Sequence, residues 1–268
     1  IAGDRCFTKG RLRDEFRMKP APGAEPVKWY KSAYGGKYAV YRIADCVPMR
    51  EKRPPTEKQQ QAGLRLSVLS RLNSTSGRMA QRAHWLSQAP LFLDTETTGL
   101  GNTAEALEIG LTDAAGRVIF ETRLKPTVAI EAQAAAVHGI DEPALSGAPS
   151  WPDVALQLRH AIGARPVIIF NAPFDTRILK QTAAAHGDPA DWLGELTVYC
   201  AMELAAGDFG ATNRYGTISL ASAASQAALT WEGEAHSAIA DARMTAGVVN
   251  AIAAYHLALL QEQERLQA

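Results

Sequence analysis

Cysteine is scarce in this chain and poorly placed for cross-linking. Cys6, Cys46 and Cys200 are odd in number and far apart, with no CxxC pair. That argues against a disulfide framework or a structural zinc site, and it predicts a reducing, cytoplasmic setting. Long hydrophobic runs are also missing: nothing reaches the ~18 consecutive apolar residues of a membrane span, so no membrane association is expected. The opening IAGDRCFTKG has no apolar segment of the secretory type. Internal repeats and low-complexity tracts are absent as well. Net charge is zero, with 28 Lys+Arg against 28 Asp+Glu.

That zero conceals a division. Residues 1–90 hold 18 Lys/Arg against 7 Asp/Glu, whereas residues 91–268 hold 10 against 21. A basic front half joined to an acidic back half is the pattern of an electrostatic docking segment beside a cation-binding domain, unless the two halves neutralise each other by packing. With 268 residues, 47% of them hydrophobic, the chain can build one large domain plus an appendage.

Residues 1–55 are rich in Pro, Gly, Lys, Arg and Tyr. KYAVYRI (37–43) alternates like a strand, and Gly35-Gly36 can turn it back on VKWYKSAY (27–34). A small basic β-rich module is expected there. After Pro54-Pro55, Thr56 and Gln59 have capping-box spacing, which opens a helix to about Leu72. NSTSG (73–77) reads as a break before a second short helix at 78–88. Residues 56–89 are thus expected to be a helical linker.

From residue 90 onward the pattern is α/β. LFLDTET, ALEIGLTD (106–113) and RVIFETRLKP (117–126) read as three consecutive strands, and PVIIFN (166–171) as a buried one. Helices are expected at 131–139, 151–163, after the 166–171 strand to about His186, near 217–228 and from about 238 to 264. Strands first, then alternation, predict a mixed β-sheet flanked by helices.

The most informative stretch is FLDTETTGL (92–100). Asp94 and Glu96 sit two residues apart, on one face of a strand, at the end of an apolar run. Like charges held together there are costly unless a cation compensates them, and two divalent metal ions would do so. Asp175 follows another buried strand, where a helix-capping aspartate is the plainer reading. HSAIADA (236–242) places Asp241 five residues after His236. Taken alone that pair could be a surface accident, but Asp241 has apolar neighbours, Ile239, Ala240, Ala242 and Met244.

Taken together, these residues resemble the DnaQ-like, or DEDD, superfamily of 3′→5′ exonucleases. DTETTG (94–99) matches the first motif intact, Asn171 to Asp175 the second, and His236 to Asp241 the third, in the family's order. The five-residue spacing marks the histidine subgroup, and VHGI (137–140) is similar to the proofreading-subunit branch. One departure is Phe170, where many relatives have His or Tyr. Residues 1–90 have no counterpart.

The resemblance implies an RNase H-like fold over 90–268 and a phosphodiester hydrolase using two Mg²⁺ or Mn²⁺ ions. It implies that Asp94 bridges both ions, that Glu96 and Asp241 complete the one on the water side, and that Asp175 serves the other. His236 would take the proton from the nucleophile. Leu100 is the counterpart of a residue that wedges against the terminal base, and Thr97 falls in the same substrate-contacting segment. Asn171 could orient the sugar or cap its helix, Phe174 could stack or pack, and His138 could approach the nucleotide or serve its loop. The implied partner is single-stranded nucleic acid, with DNA favoured over RNA, in repair, processing or proofreading. The alternatives are an exoribonuclease trimming RNA ends and a non-catalytic nucleic-acid-binding or polymerase-accessory protein. The front module interleaves cations with Trp29, Tyr30, Tyr34, Tyr38 and Tyr41. It fits a single-strand surface, a protein-docking surface, or a hairpin whose rings form its own core.

Overall fold

In a computed structural model of the chain, residues 5–51, 53–231 and 236–267 are described. They divide into two compact units, 1–60 and 61–268.

The first unit contains β1 (Cys6–Thr8), α1 (Lys9–Phe16), β2 (Met18–Pro20), β3 (Lys28–Lys31), β4 (Lys37–Arg42) and β5 (Cys46–Pro48). β1, β4 and β3 form an antiparallel sheet, and β2 pairs with β5. The hairpin between β3 and β4 turns at Gly35-Gly36 as its composition indicates. The β-rich reading missed α1. That helix is mostly charged and buries only Leu12, so its apolar period is too weak to see, although Thr8 caps it by accepting from Arg11 N–H at 3.3 Å. Phe7, Leu12, Tyr41 and Cys46 make up the small core.

The second unit takes in most of α2 (Glu57–Leu72) and α3 (Thr75–Leu86), followed by β6 (Leu91–Thr97), β7 (Ala106–Asp113), β8 (Val118–Arg123), α4 (Ala132–His138), α5 (Trp151–Ile162), β9 (Val167–Ile169), α6 (Ala172–Ala185), α7 (Trp192–Glu195), β10 (Val198–Cys200), α8 (Ala201–Phe209), α9 (Leu220–Gln226) and α10 (Ala238–Gln267). The predicted capping box is present: Thr56 N–H donates to Gln59 Oε1 at 2.9 Å and Gln59 N–H to Thr56 Oγ1 at 3.3 Å. The break at 73–77 is shorter than expected. Ser74 Oγ accepts from Gly77 N–H at 3.0 Å and starts α3 at Thr75. The helices read as a linker do not stand apart, since Ala80, Ala83 and Leu86 of α3 are packed in one core cluster with α8 and α10 residues.

The sheet order is β10-β9-β6-β7-β8, parallel from β10 to β6 and antiparallel from β6 to β8. Alternation along β6 assigns its two faces. Leu91 and Leu93 join a core with α5 and α6, while Phe92 joins one with α3, α8 and α10. Burial of each such side chain contributes about 1.5–3 kcal/mol. α10 has the length and apolarity to cross a membrane, with a mean hydropathy of 1.3 over 18 residues, but half of that window is buried against the rest of the unit.

Candidate active site

Asp94 and Glu96 lie on the Phe92 face of β6, so they point toward α10 rather than α6. Opposite Asp94 on β7 stands Gly110. A Cβ there would come within 2.6–2.9 Å of the backbone of Ala238 and Ile239. Only glycine lets the first turn of α10 come this close to the sheet. Asp241, one turn further along, is thereby carried to the two acids. Oxygens of Asp94, Glu96 and Asp241 lie within 4.8 Å of one another. A register shift between Glu96 and Thr97 carries the pairing from Glu108 to Ala106 across the end of the strand.

Asp175 approaches from the other layer, in the first turn of α6. It is buried, and its Oδ1 accepts from Thr95 N–H at 3.1 Å and Thr95 Oγ1 at 2.7 Å. Thr95 faces away from Asp94 and Glu96, so Asp175 stands outside the three-carboxylate set. It nevertheless lines the same cleft of about 180 Å³ as Asp94, Glu96, Asp241 and His236. His236 is exposed, two residues before α10, with φ of 67°, and its backbone N–H donates to Asp241 Oδ1 at 3.2 Å. All five expected residues therefore converge on one cleft.

Among the described residues, no lysine or arginine forms an ion pair with Asp94, Glu96, Asp175 or Asp241. Burial pushes Glu96 up to about 8, and the charges of Asp241, Glu108 and Asp175 add to that. Asp94 rises well above the usual carboxylate range, through burial and then the charges of Asp175, Asp241, Glu96 and Glu108. Burial lifts Asp175 to about 7 against the opposing donations from Thr95. Asp241 is raised by burial, opposed by the His236 N–H. Such a set fits hard divalent cations, which take carboxylate oxygens and restore the charged forms.

Sequence reasoning missed three residues. Glu108 is buried and accepts from Ala238 N–H at 2.9 Å and Arg123 Nε at 3.1 Å, tying β7 to the start of α10. An acid inside the apolar run ALEIGLTD was its visible signal. Gly110 and Thr95 had none, because their roles depend on which elements meet.

A second pocket of about 340 Å³ adjoins the cleft and shares Thr95, Glu96 and Phe174 with it. Leu100, 75% exposed, stands on its wall. Its loop is held from α6, where Arg177 donates to Leu100 O at 3.2 Å and Gly101 O at 3.0 Å while lying 5.3 Å from the Phe174 ring centre. Phe174 is half-buried and lines both cavities, so it packs and presents a ring. Thr97 is buried, and its Oγ1 donates to Gly99 O at 2.8 Å. Asn171 caps α6 by position, but its side chain makes no capping bond and is left on the cleft. Of the two roles open to His138, its contacts support the one in its loop. Its Nδ1 accepts from Ile140 N–H at 3.0 Å, which leaves Nε2 to donate to Thr97 O at 3.1 Å. With both nitrogens engaged and its pKa lowered chiefly by burial, His138 fastens the 97–100 loop to α4 and offers the pocket only its ring.

The family model for the RNase T exonucleases matches residues 91–249. An uncharacterised protein of Salmonella typhimurium, pSLT049, is 65% identical over 127 residues, or 47% of this chain and 92% of that relative. An uncharacterised exonuclease of Escherichia phage 186, CP81, is 40% identical over 190 residues, or 68% of this chain and 97% of that relative. Among solved structures, a zinc-bound complex of E. coli exonuclease I with single-stranded DNA matches with a TM-score of 0.51 at 16% identity, over 65% of this chain and 42% of that one. The likeness shows a shared fold, and this chain spans under half of that protein.

Proposed function

This chain belongs to the DnaQ-like RNase T family of exonucleases, and on that premise we propose that it removes nucleoside monophosphates from 3′ ends of single-stranded DNA. One observation carries the reading: Asp94, Glu96, Asp175, His236 and Asp241, from three separate segments, line a single cleft. The residues that would hold two Mg²⁺ or Mn²⁺ ions are Asp94, Glu96 and Asp241, with Asp175 serving one of the pair. Bound there, two such ions would activate the attacking water and offset charge on the leaving oxygen.

The chain's own residues supply the rest. His236 takes a proton from the attacking water, a task suited to an imidazole near neutral pH. Its N–H on Asp241 fixes the ring's backbone beside the acids. The adjoining pocket receives the terminal base, with Leu100 wedged against it and Phe174 presenting a ring at the boundary. Asn171 is available to the terminal sugar. The choice of DNA draws on E. coli exonuclease I, whose solved complex contains single-stranded DNA.

A time course on 3′-labelled and 5′-labelled DNA and RNA strands with Mg²⁺ or Mn²⁺ tests this reading. Immediate release of labelled mononucleotide from 3′-labelled DNA is expected. Release first from the 5′ label, or from RNA alone, would refute the polarity or the polymer respectively.

A further inference from the structure

The open face of the first unit's three-stranded sheet is made of residues that the carboxylate cleft does not use. Tyr30 pairs with Tyr38 and Lys28 with Val40. Cys6 pairs with Arg42. Directly paired residues share a face and alternate along each strand, so all of these lie opposite the Phe7–Tyr41 core. Tyr30 and Tyr38 remain 42% and 43% exposed. Their rings stack with centroids 5.7 Å apart and planes 23° from parallel. Lys28 Nζ lies 5.2 Å from the Tyr30 ring centre. At the tip, Ser32 N–H donates to Gly36 O at 2.6 Å and Gly35 takes φ of 85°. This tight turn presents Tyr34, which is 99% exposed.

These rings are not the hairpin's own core, because the core of this unit is Phe7, Leu12, Tyr41 and Cys46. Charge selects the ligand. From Pro26 to Arg42 the chain carries no acid; Lys28 and Arg42 lie on the Tyr30–Tyr38 face, and Lys31 and Lys37, on the other face by the same alternation, are exposed at the end of the hairpin. Asp14 and Glu15 lie on α1, already paired with Arg13 and Arg11. Lysine is depleted in the cores of protein–protein interfaces, whereas cations interleaved with flat rings suit a polyanion with unpaired bases. We propose that the β3–β4 hairpin is a second binding platform for single-stranded DNA, with Tyr30 and Tyr38 stacking on bases and Lys28 and Arg42 taking phosphates. The choice of DNA rests on the function proposed above, while the platform itself needs none of the carboxylates.

The test titrates the full chain in EDTA, so that no strand is cut, against a labelled oligothymidylate of about 20 nucleotides. Fluorescence anisotropy compares wild type, Tyr30→Ala/Tyr38→Ala and Tyr30→Phe/Tyr38→Phe. The alanine pair is expected to weaken binding about tenfold or more, and the phenylalanine pair to stay within about twofold of wild type. Lys28→Gln/Arg42→Gln should reduce the slope of log affinity against log salt by about 1.4. These glutamine variants decide the matter should thermal melting show that the alanine pair does not fold. Unchanged affinity in the alanine pair, equal loss with phenylalanine, or no wild-type binding in EDTA would overturn the platform. Mg²⁺ added afterwards reads the cleft separately. Binding through the hairpin without degradation would sink the exonuclease function alone, and degradation with an unaffected alanine pair would sink the platform alone, leaving the hairpin to a protein partner.

Discussion

The central sheet carries acids at both ends of β7, and the two ends treat them in opposite ways. At one end Asp113 is fully answered: Oδ1 accepts from Ala115 N–H at 2.9 Å and Arg117 N–H at 3.0 Å, and Oδ2 from Arg117 Nε at 2.8 Å. Its carboxyl is held below the usual range, chiefly by the Arg117 guanidinium. At the other end Asp94, Glu96 and Asp241 face one another with every carboxyl pushed upward. The same chemical group closes a hairpin at one end, while at the other it stores unfavourable charge that a cation can relieve. Both ends carry acids bordering apolar strands, and only the motif spacing of Asp94, Glu96 and Asp241 marks them out in the sequence. The difference lies in who stands opposite.

The largest effect that could break this contrast is on activity. Asp94→Asn should lower kcat by about a thousandfold or more, since groups acting as one catalytic unit fail together. Asp113→Asn should leave hydrolysis unchanged. Equal losses from the two substitutions would mean that the cleft has no special role. Single-turnover hydrolysis of a 3′-labelled strand reads both, with thermal melting as the check on folding.

The next effect concerns stability, and its sign differs between the two ends. Glu96 rises from 4.5 to about 8 and Asp175 from 3.8 to about 7 on folding. A raised carboxyl contributes stability that is fully present below the unfolded value and lost as pH climbs through the folded one. Metal-free protein should therefore lose stability between about pH 4 and 8, by on the order of a few kcal/mol. Asp113, held low, loses its contribution only as pH falls below that window. Millimolar Mg²⁺ or Mn²⁺ should restore stability at pH 8 far more than at pH 5, because cations bind the charged carboxylates. Chemical denaturation at several pH values, with and without metal, measures this. A flat metal-free profile would show that the cleft acids are already compensated.

Much of this was legible beforehand, for identifiable reasons. β6 and β7 are apolar runs, α5 is amphipathic and α10 is a long apolar helix, and clear stops bound the segments, such as Gly139 at the αL cap of α4. The five cleft residues were visible because motif spacing encodes which segments must meet. α7 and β10 were not, since four- and three-residue elements such as Trp192–Glu195 and Val198–Cys200 are too short to show a period, and the nine residues of α8 follow them directly without a stop between. The engagement of both His138 nitrogens was hidden too, because Thr97 O and Ile140 N become its partners only after the loop folds over α4. Gly110 illustrates the general obstacle: its value comes from a helix over a hundred residues away.

A smaller effect sharpens the hairpin end. Asp113→Asn should cost about 1 kcal/mol, the usual worth of a few turn hydrogen bonds and a half-exposed ion pair. Arg117→Ala should cost less, because the Ala115 and Arg117 backbone donations to Asp113 survive it. If the arginine substitution were the costlier of the two, the ion pair rather than the turn geometry would be what holds β7 to β8.

The smallest effect lies at the rim of the cleft, where charge plays no part. Leu100 buries little in the free protein, so Leu100→Ala should leave melting unchanged. Its loop stays fixed by Arg177 and Gln181, which donate to Leu100 O, Gly101 O and Ala104 O. On the proposed function, this exposed apolar residue on a held loop acts when a base covers it. Losing most of that contact should raise KM a fewfold, in proportion to the apolar area no longer covered, with kcat reduced less. Were kcat to fall and KM to stay constant, Leu100 would be acting on the alignment of the scissile phosphate rather than on the hold of the terminal base. The contrast between a charged cleft floor and an apolar rim would then have to be redrawn.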